Sequence, residues 1–301
     1  MQKNYPMLKN YLKIAWRNLL RNRSYSAINL LGLALGLACV MLIGLWIRSE
    51  LSMNRFHEKG DRLFRLWENQ EYSNGYILST ISTPGPMAAK LQADFPEIER
   101  AVRFNWGAEK LFTLGDQSLN EKGYYADAGF FDIFTFPLLH GRADEVLKEP
   151  GKVVVSESLA RKYFGTDDAV GKVLRIDNEQ DYTISGVFQD PPPVSTLDFD
   201  FLLPMVEYER DNPGFAEQWN SNSVRTYLLL SEGADAGQLG EKIEGFLRQN
   251  SDQGNTSLFL QPYPDTYLYT DYRDGKYQGG GRITYVKMFG AIGLFILLIA
   301  C

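Results

Sequence analysis

Residues Ser24–Ile47 read SYSAINLLGLALGLACVMLIGLWI, and this stretch holds no charged side chain. As an α-helix it would rise about 36 Å, more than the roughly 30 Å of a bilayer's hydrocarbon core. A cleaved signal peptide is the alternative, but its apolar run is shorter and ends at a small-x-small site, whereas this run ends in Leu45-Trp46-Ile47-Arg48. We therefore predict a retained transmembrane helix over residues 24–47, and with it a membrane-anchored fold.

Three glycines lie on one i+4 ridge of this predicted helix: Gly32, Gly36 and Gly44. Small residues on one face allow a second helix to approach closely in lipid. Glycine is also simply frequent in membrane helices, which is the alternative explanation. We predict that the three positions form a helix-packing face.

A basic amphipathic segment precedes the apolar run and covers residues 5–23. Its apolar residues follow a helical period and include Trp16, and its charges repeat every four residues at Lys9, Lys13, Arg17 and Arg21. This pattern is typical of helices that lie in the membrane interface among anionic headgroups, and a solvated helix is the alternative. We predict an amphipathic helix within residues 1–23, with membrane lipids as partners.

Basic residues close to the membrane set the orientation of a span. Residues 9–23 contain five Lys or Arg, and residues 48–62 contain four. The difference favours a cytoplasmic N-terminus in the plasma (inner) membrane, and it makes residues 48–282 extracytoplasmic.

A second apolar stretch, Ile283–Cys301, is free of charge over its last 14 residues. A complete span needs about 20 residues. We expect residues 283–301 to be the start of a second transmembrane helix that is cut short, and a C-terminal tail anchor is the alternative. The preceding Gly279-Gly280-Gly281 is typical of a flexible joint.

The intervening region, residues 48–282, has 24 basic and 37 acidic residues and a net charge of −13. Such an acidic surface repels phosphate backbones, so nucleic acid is excluded as its partner. The two cysteines, Cys39 and Cys301, both lie in the apolar stretches, so no disulfide can form within this region.

Hydrophobic periodicity in this region predicts an α+β fold. The order strand, helix, strand occurs twice, over residues 63–106 and 223–261, and Asp235 can cap the second helix. We predict two β-α-β halves, at residues 48–106 and 223–278.

Between the halves lie residues 107–222, which are richer in Gly, Asp, Pro and aromatic residues. Ser156 can cap a helix over residues 157–164, and short strands are predicted at residues 152–155, 174–176 and 182–188. We expect an inserted, mostly-β subdomain.

No set of residues assembles a catalytic site. The stretch Gly165–Val173 looks like a phosphate-binding loop, but five residues separate its glycines, and Val173 replaces the Ser or Thr that binds Mg²⁺. His57 and His140 have no Cys or second His at metal-ligand spacing. The phenylalanines of residues 127–134 are predicted to pack into a local core. We predict a protein without enzyme activity, cofactor or metal.

The motifs of this chain resemble those of ABC-transporter permeases of the MacB/FtsX-like type. Residues 10–23 are similar to that family's leading amphipathic helix, and residues 31–36 to the glycine-bearing start of its first span. Residues 50–57, ELSMNRFH, resemble the motif after that span, with Asn54 where the family usually has Asp. Its periplasmic core domain is resembled by residues 125–134, 155–165 and 186–192.

The resemblance implies a function. Such permeases work with a separate cytoplasmic ABC ATPase subunit, and their extracytoplasmic domain couples ATP hydrolysis to export or mechanotransmission across the envelope. It implies a porter-like subdomain built from the two β-α-β halves, and a second permease unit as a homodimer or a tandem repeat. It is compatible with a periplasmic adaptor. The family's coupling helix follows the second span and would lie beyond Cys301, and no substrate is specified.

Two other classes of protein share parts of this layout. A two-span signalling receptor would carry an extracytoplasmic sensor domain, and a membrane-anchored envelope enzyme would carry a catalytic one. The basic interfacial helix and the ordered motifs favour the permease over the sensor. The lack of any assembled catalytic set disfavours the enzyme.

Overall fold

The computed structural model describes residues 6–251, 255–273 and 276–300. They fall into a helical unit, from Met1–Leu51 and Ile283–Cys301, and a mixed α/β unit, Ser52–Arg282. The helical unit takes in α1 (Pro6–Arg21), α2 (Arg23–Ser52) and α9 (Arg282–Ala300), the last two continuing into the other unit by one residue each. In the described part of the chain, α2 and α9 are the helices long and apolar enough to cross a membrane.

The α/β unit alternates short strands and short helices. The helices are α3 (Met87–Asp94), α4 (Phe130–Ile133), α5 (Glu157–Phe164), α6 (Met205–Asp211), α7 (Ala236–Ile243) and α8 (Phe246–Asn250). The strands are β1 (Leu63–Glu71), β2 (Ile77–Thr80), β3 (Thr83–Pro84), β4 (Ile98–Phe104), β5 (Ala108–Leu114), β6 (Gln117–Ala126), β7 (Leu138–His140), β8 (Lys152–Ser156), β9 (Val173–Ile176), β10 (Gln180–Phe188), β11 (Phe201–Pro204), β12 (Asn222–Leu230), β13 (Thr256–Pro262), β14 (Tyr272–Arg273) and β15 (Lys276–Tyr277).

Two β-α-β units interlock in one layer of this domain. Strands β4, β12, β1 and β13 lie side by side in that order, and each neighbouring pair is antiparallel. The unit β1-α3-β4 therefore holds β12 between its strands, and the unit β12-α7-α8-β13 holds β1 between its own. Apolar side chains on one face of these strands pack with those of α3, α7 and α8. The cluster includes Leu66, Leu228 and Leu258 from the strands and Met87 and Leu239 from the helices.

The segment between the two units forms a closed barrel. Strands β6, β5, β9, β10, β8 and β11 pair in that order, and β11 then pairs with β6 in parallel, which closes the ring. Closure leaves no unpaired edge between these strands. The interior is filled by apolar side chains, including Phe112, Val153, Ile184 and Phe201, and α5 covers it with Leu159 and Tyr163.

A third apolar cluster lies between the barrel and the interlocked strands. Phe130 and Phe134 of the segment Asp127–Phe134 are at most 1% exposed, and they pack with Phe104, Tyr227 and Phe199. The prediction that these phenylalanines form a core is therefore confirmed. A single pair of residues, Phe104 and Ala126, registers β4 against β6 in the described residues.

Most predicted elements lie where periodicity and caps indicate. Ser156 and Asp235 accept backbone N–H groups at the starts of α5 and α7. The first predicted strand-helix-strand unit extends to residue 106, but β4 ends at Phe104 and the Trp106 side chain is 54% exposed. The predicted single helix after Asp235 is interrupted at Gly245, which separates α7 from α8.

Candidate functional site

The segment after α2 is fastened into the α/β unit by one buried asparagine. The backbone of Asn54 is left-handed (φ 59°), a conformation that asparagine tolerates better than most residues. Its N–H donates to the carbonyl of Val194 at 2.8 Å. Its Oδ1 accepts from the N–H and the hydroxyl of Thr196 at 2.9 and 3.0 Å, and its Nδ2 donates to Oγ1 of Thr266 at 3.2 Å. The fully buried Asn54 thus joins its own segment to two distant ones, at residues 194–196 and at Thr266.

His57 is buried three residues further on. Its Nδ1 accepts the N–H of Thr135 at 3.0 Å, so the ring's own proton lies on Nε2, which has no partner among the described residues. Phe134, Phe136 and Tyr263 surround the ring at centroid distances of 5.2–5.5 Å. Burial lowers the pKa of His57 to about 4. The histidine is therefore neutral near pH 7 and acts as a packing and hydrogen-bonding residue.

The predicted packing face lies on α2. A Cβ added at Gly36 would be 3.2 Å from the Cβ of Ala300 and 3.7 Å from Cγ2 of Ile296, both on α9. At Gly32 and Gly44 the same construction meets no described atom within 4 Å. Sequence reasoning did not single out Gly290 and Gly293 of α9. A Cβ added at Gly290 would lie 3.7 Å from Cδ1 of Ile47, and one added at Gly293 would lie 3.5 Å from Cγ2 of Ile43, both on α2.

The predicted interfacial residues all belong to α1. Lys13, Arg17 and Arg21 are exposed, and Trp16 is 65% exposed. Lys9 lies within the same helix, so the i+4 spacing places the cationic positions along one stripe. The membrane-interface role of these residues stays a prediction.

Two acidic residues near the predicted turns, Asp167 and Asp198, are engaged in ion pairs. Asp167 accepts from Arg161 at 2.5 Å, and Asp198 pairs with Lys122. Gly165 ends α5 in a left-handed conformation (φ 69°), and the loop to β9 closes with Gly171 at φ 82°. The residues Gly165–Val173 therefore form a structural turn. In the described ranges no three His, Cys, Asp or Glu residues group to hold a metal.

A half-buried ion network connects Arg103 of β4 to Asp127 and to Glu209 of α6. Arg103 donates to both carboxylate oxygens of Asp127, at 3.0 and 2.8 Å, and to Glu209 of α6 at 2.8 Å. Its side chain is only 11% exposed. Sequence reasoning missed this network because its members lie up to 106 positions apart.

The apolar helix α2 is long enough to cross a membrane and leads directly into the mixed α/β domain. The sequence matches the family model of the MacB-like periplasmic core domain over residues 26–246. The chain therefore belongs to this family, which comprises permease components of ABC transporters. Permeases of this type work with a cytoplasmic ATPase and are not themselves catalytic.

Solved structures resemble the same part of the chain. A domain of a protein assigned as a permease, from Porphyromonas gingivalis, is 26% identical with a TM-score of 0.60, covering 69% of this chain and 93% of its own. The periplasmic region of MacB from Actinobacillus actinomycetemcomitans is 16% identical with a TM-score of 0.50, covering 69% of this chain and 91% of its own. The second likeness concerns the fold alone. No curated protein matches the sequence.

Proposed function

We propose that this chain is the permease subunit of a MacB/FtsX-type ABC transporter, coupling ATP hydrolysis by a separate cytoplasmic ATPase to export or mechanotransmission. The anchoring of Asn54 is the observation that supports this role best. Helix α2 ends at Ser52, and two residues later the chain is held in the domain by side-chain hydrogen bonds to Thr196 and Thr266. A displacement of α2 would therefore be passed to the α/β unit instead of being absorbed by a loose linker.

The proposal includes a topology and a set of partners. Residues 24–47 and 283–301 would lie in the plasma membrane, residues 1–23 on the cytoplasmic surface, and residues 48–282 outside the cytoplasm. The interlocked β-α-β units would act as the porter-like subdomain. A second permease unit, as homodimer or tandem repeat, would complete the assembly. Because the outer domain is acidic, a periplasmic adaptor would meet it through basic or neutral surfaces.

The complete gene product that carries residues 1–301 provides the test. Purified from its own host in mild detergent, it should retain an ATP-binding cassette subunit that mass spectrometry identifies. Trapping this complex with ATP and vanadate should change hydrogen–deuterium exchange in peptides that cover residues 52–57 and 194–197. Exchange in the barrel hairpin at residues 114–117 is the internal control, because the described partners of Asn54 are Val194, Thr196 and Thr266 and none of them belongs to that turn.

Two results would contradict the proposal. The first is recovery of the intact protein without any ATPase subunit. The second is transfer of radioactive phosphate from ATP to a histidine of the same gene product, which would identify a sensor kinase. Unchanged exchange at residues 52–57 in an active complex would refute the coupling route through Asn54.

A further inference from the structure

A pocket of about 330 Å³ in the α/β unit is lined by three arginines, together with Tyr263, Tyr267 and Thr196. The arginines are Arg65 on β1, Arg225 on β12 and Arg282 at the start of α9. No Asp or Glu is among the described residues that line it. This is unusual in a region whose acidic residues outnumber its basic ones by 37 to 24.

Strand register explains why two of the arginines meet. Arg65 lies opposite Tyr227 on β12 and opposite Gln261 on β13. Side chains alternate between the faces of a strand, so Arg225 lies on the same face as Tyr227. Arg65 and Arg225 are therefore diagonal neighbours, a relation in which long side chains interact.

Within the described residues, no carboxylate neutralises the charge of Arg65 or Arg225. Arg65 donates to the amide oxygen of Gln261 at 2.7 Å, and Arg225 donates to the carbonyl of Asn105 at 2.8 Å. Within the described residues neither forms an ion pair, and the Nε atom of each is buried without an acceptor. Burial lowers the pKa of Arg65, and repulsion from Arg225 acts in the same direction against the influence of nearby tyrosines. Arg103, by contrast, is buried with two carboxylates.

Aromatic rings stabilise the faces of the two guanidinium groups, but they do not account for the N–H donors. The guanidinium of Arg225 lies 4.4 Å from the ring centroid of Phe104, and that of Arg65 lies 5.1 Å from Trp67. Such contacts stabilise a cation through the face of its guanidinium group. They do not use the in-plane N–H donors, which are the groups that bind oxyanions.

A neutral donor completes the pocket. Tyr263 lines the pocket and is 1% exposed, and its buried hydroxyl has no hydrogen-bond partner in the described part of the chain. A buried hydroxyl without a partner costs free energy unless a ligand or water satisfies it. Guanidinium groups beside a free hydroxyl match the acceptor oxygens of a phosphate group.

We propose that this pocket binds a phosphate group, carried either by an anionic lipid headgroup or by a soluble phosphate compound. Arg65, Arg225 and Tyr263 supply the donors. Arg282 is the residue that leads into the apolar helix α9, which brings this site close in sequence to a predicted membrane surface. The proposal is independent of the ATPase coupling described above.

Thermal unfolding of the 301-residue chain in phosphatidylcholine nanodiscs tests the site. Inorganic phosphate is added at constant ionic strength with chloride as the reference ion, and a parallel sample uses nanodiscs that contain phosphatidylglycerol. We expect a Tm rise of about 2–4 °C at a phosphate level well above the dissociation constant. A rise with soluble phosphate identifies a free ligand, and a rise in phosphatidylglycerol discs alone identifies a lipid headgroup.

Variants separate this pocket from the basic helix α1, which also attracts anionic lipid. The double variant Arg65→Gln/Arg225→Gln should lose the rise in both arms while keeping α1 intact. Tyr263→Phe keeps the buried ring and should reduce the rise. The control Arg175→Gln removes an exposed arginine on β9 and should retain it.

Three results would overturn the proposal. They are no rise in either arm with the wild-type chain, an undiminished rise in the double variant, and equal losses in Arg175→Gln and Tyr263→Phe. If the double variant does not fold, Tyr263→Phe and the wild type decide the outcome, because the phenylalanine ring preserves the core packing around position 263.

Discussion

Asn54 shows how much one side chain can determine locally. Its left-handed backbone and its three side-chain hydrogen bonds are both unusual for a buried residue, and each favours asparagine for a different reason. The amide offers an acceptor to Thr196 and a donor to Thr266. An aspartate at this position, as the resemblance implies for the family, would lack that donor and would require Thr266 to redirect its hydroxyl proton.

At position 54 we expect the glycine variant to be more stable than the alanine variant, which is the reverse of their usual order. Asn54→Gly should lower the free energy of unfolding by about 2–3 kcal/mol, because Thr196 loses its buried acceptor. Asn54→Ala should cost roughly 1 kcal/mol more, because a Cβ disfavours φ 59°. Urea unfolding of the detergent-solubilised chain measures both values.

Asn178 is the matched control for this comparison. It also has a left-handed backbone, at φ 57°, but it is exposed in a turn. Asn178→Gly should change the free energy of unfolding by less than about 1 kcal/mol, because no buried partner loses its bond. Equal free energies of unfolding for Asn54→Ala and Asn54→Gly would show that the backbone strain argument is wrong.

His57 should make the stability of the α/β unit depend on pH. Its pKa is lowered to about 4 in the folded chain, against 6.5 as the ordinary value. Between these two values His57 binds a proton in the unfolded chain but not in the folded chain. The stability that depends on His57 is therefore full above pH 6.5 and falls as the pH drops. From pH 7 to pH 5 we expect a loss of about 2 kcal/mol from this residue.

Urea unfolding at both pH values isolates the contribution of His57. The variant His57→Asn keeps an acceptor for the Thr135 N–H but cannot be protonated. Between pH 7 and pH 5 its free energy of unfolding should therefore fall by about 2 kcal/mol less than that of the wild type. His140→Asn, which removes the other histidine of the sequence, should keep the wild-type dependence. Identical pH profiles for His57→Asn and the wild type would refute the assignment.

The helices of the first unit meet through small residues, and Gly36 is the closest approach. Gly36→Leu should lower the yield of assembled complex on a native gel, because its side chain has no room beside Ala300 and Ile296. Gly32→Leu is the matched control one turn away, where a Cβ meets no described atom within 4 Å. Equal yields for the two variants would contradict a packing role for Gly36.

Elements that depend on local signals were predictable, and those that depend on distant pairing were not. Strand β12 and helix α5 lie at the predicted residues, because apolar residues alternate through the first and Ser156 and Gly165 delimit the second. The closure of β11 against β6 joins residues about 80 positions apart, such as Leu202 and Tyr124, and no periodicity reports such a pairing. Thr196 and Thr266 were missed as partners of Asn54 for the same reason.

For the molecule as a whole, the proposed topology can be tested with introduced cysteines in a chain whose Cys39 and Cys301 are replaced by alanine. Asp116→Cys lies at the exposed tip of the β5–β6 hairpin, and Asn10→Cys lies on exposed α1. A maleimide that cannot cross the membrane should label position 116 in intact cells, and position 10 only after lysis. Labelling of position 10 before lysis would reverse the orientation.

The interlocked strands also limit what can move inside the α/β unit. Strands β12 and β1 each lie between two strands of the other β-α-β unit, so separating the units would break three ladders of hydrogen bonds. The sequence predicts both units, but their interleaving becomes visible only in the sheet. A motion of this unit therefore has to carry both halves together.

The entry and the exit of the α/β unit are fastened to the same short segment. Asn54 binds Thr266, and the guanidinium of Arg282 lies 4.7 Å from the ring centroid of Tyr267. A domain whose two ends meet can be spliced into a loop of an unrelated host without stretching guest or host. The α/β unit can thus be separated from the helices that flank it. Joining residues 52 and 282 through a short linker should yield this unit as a soluble protein on its own.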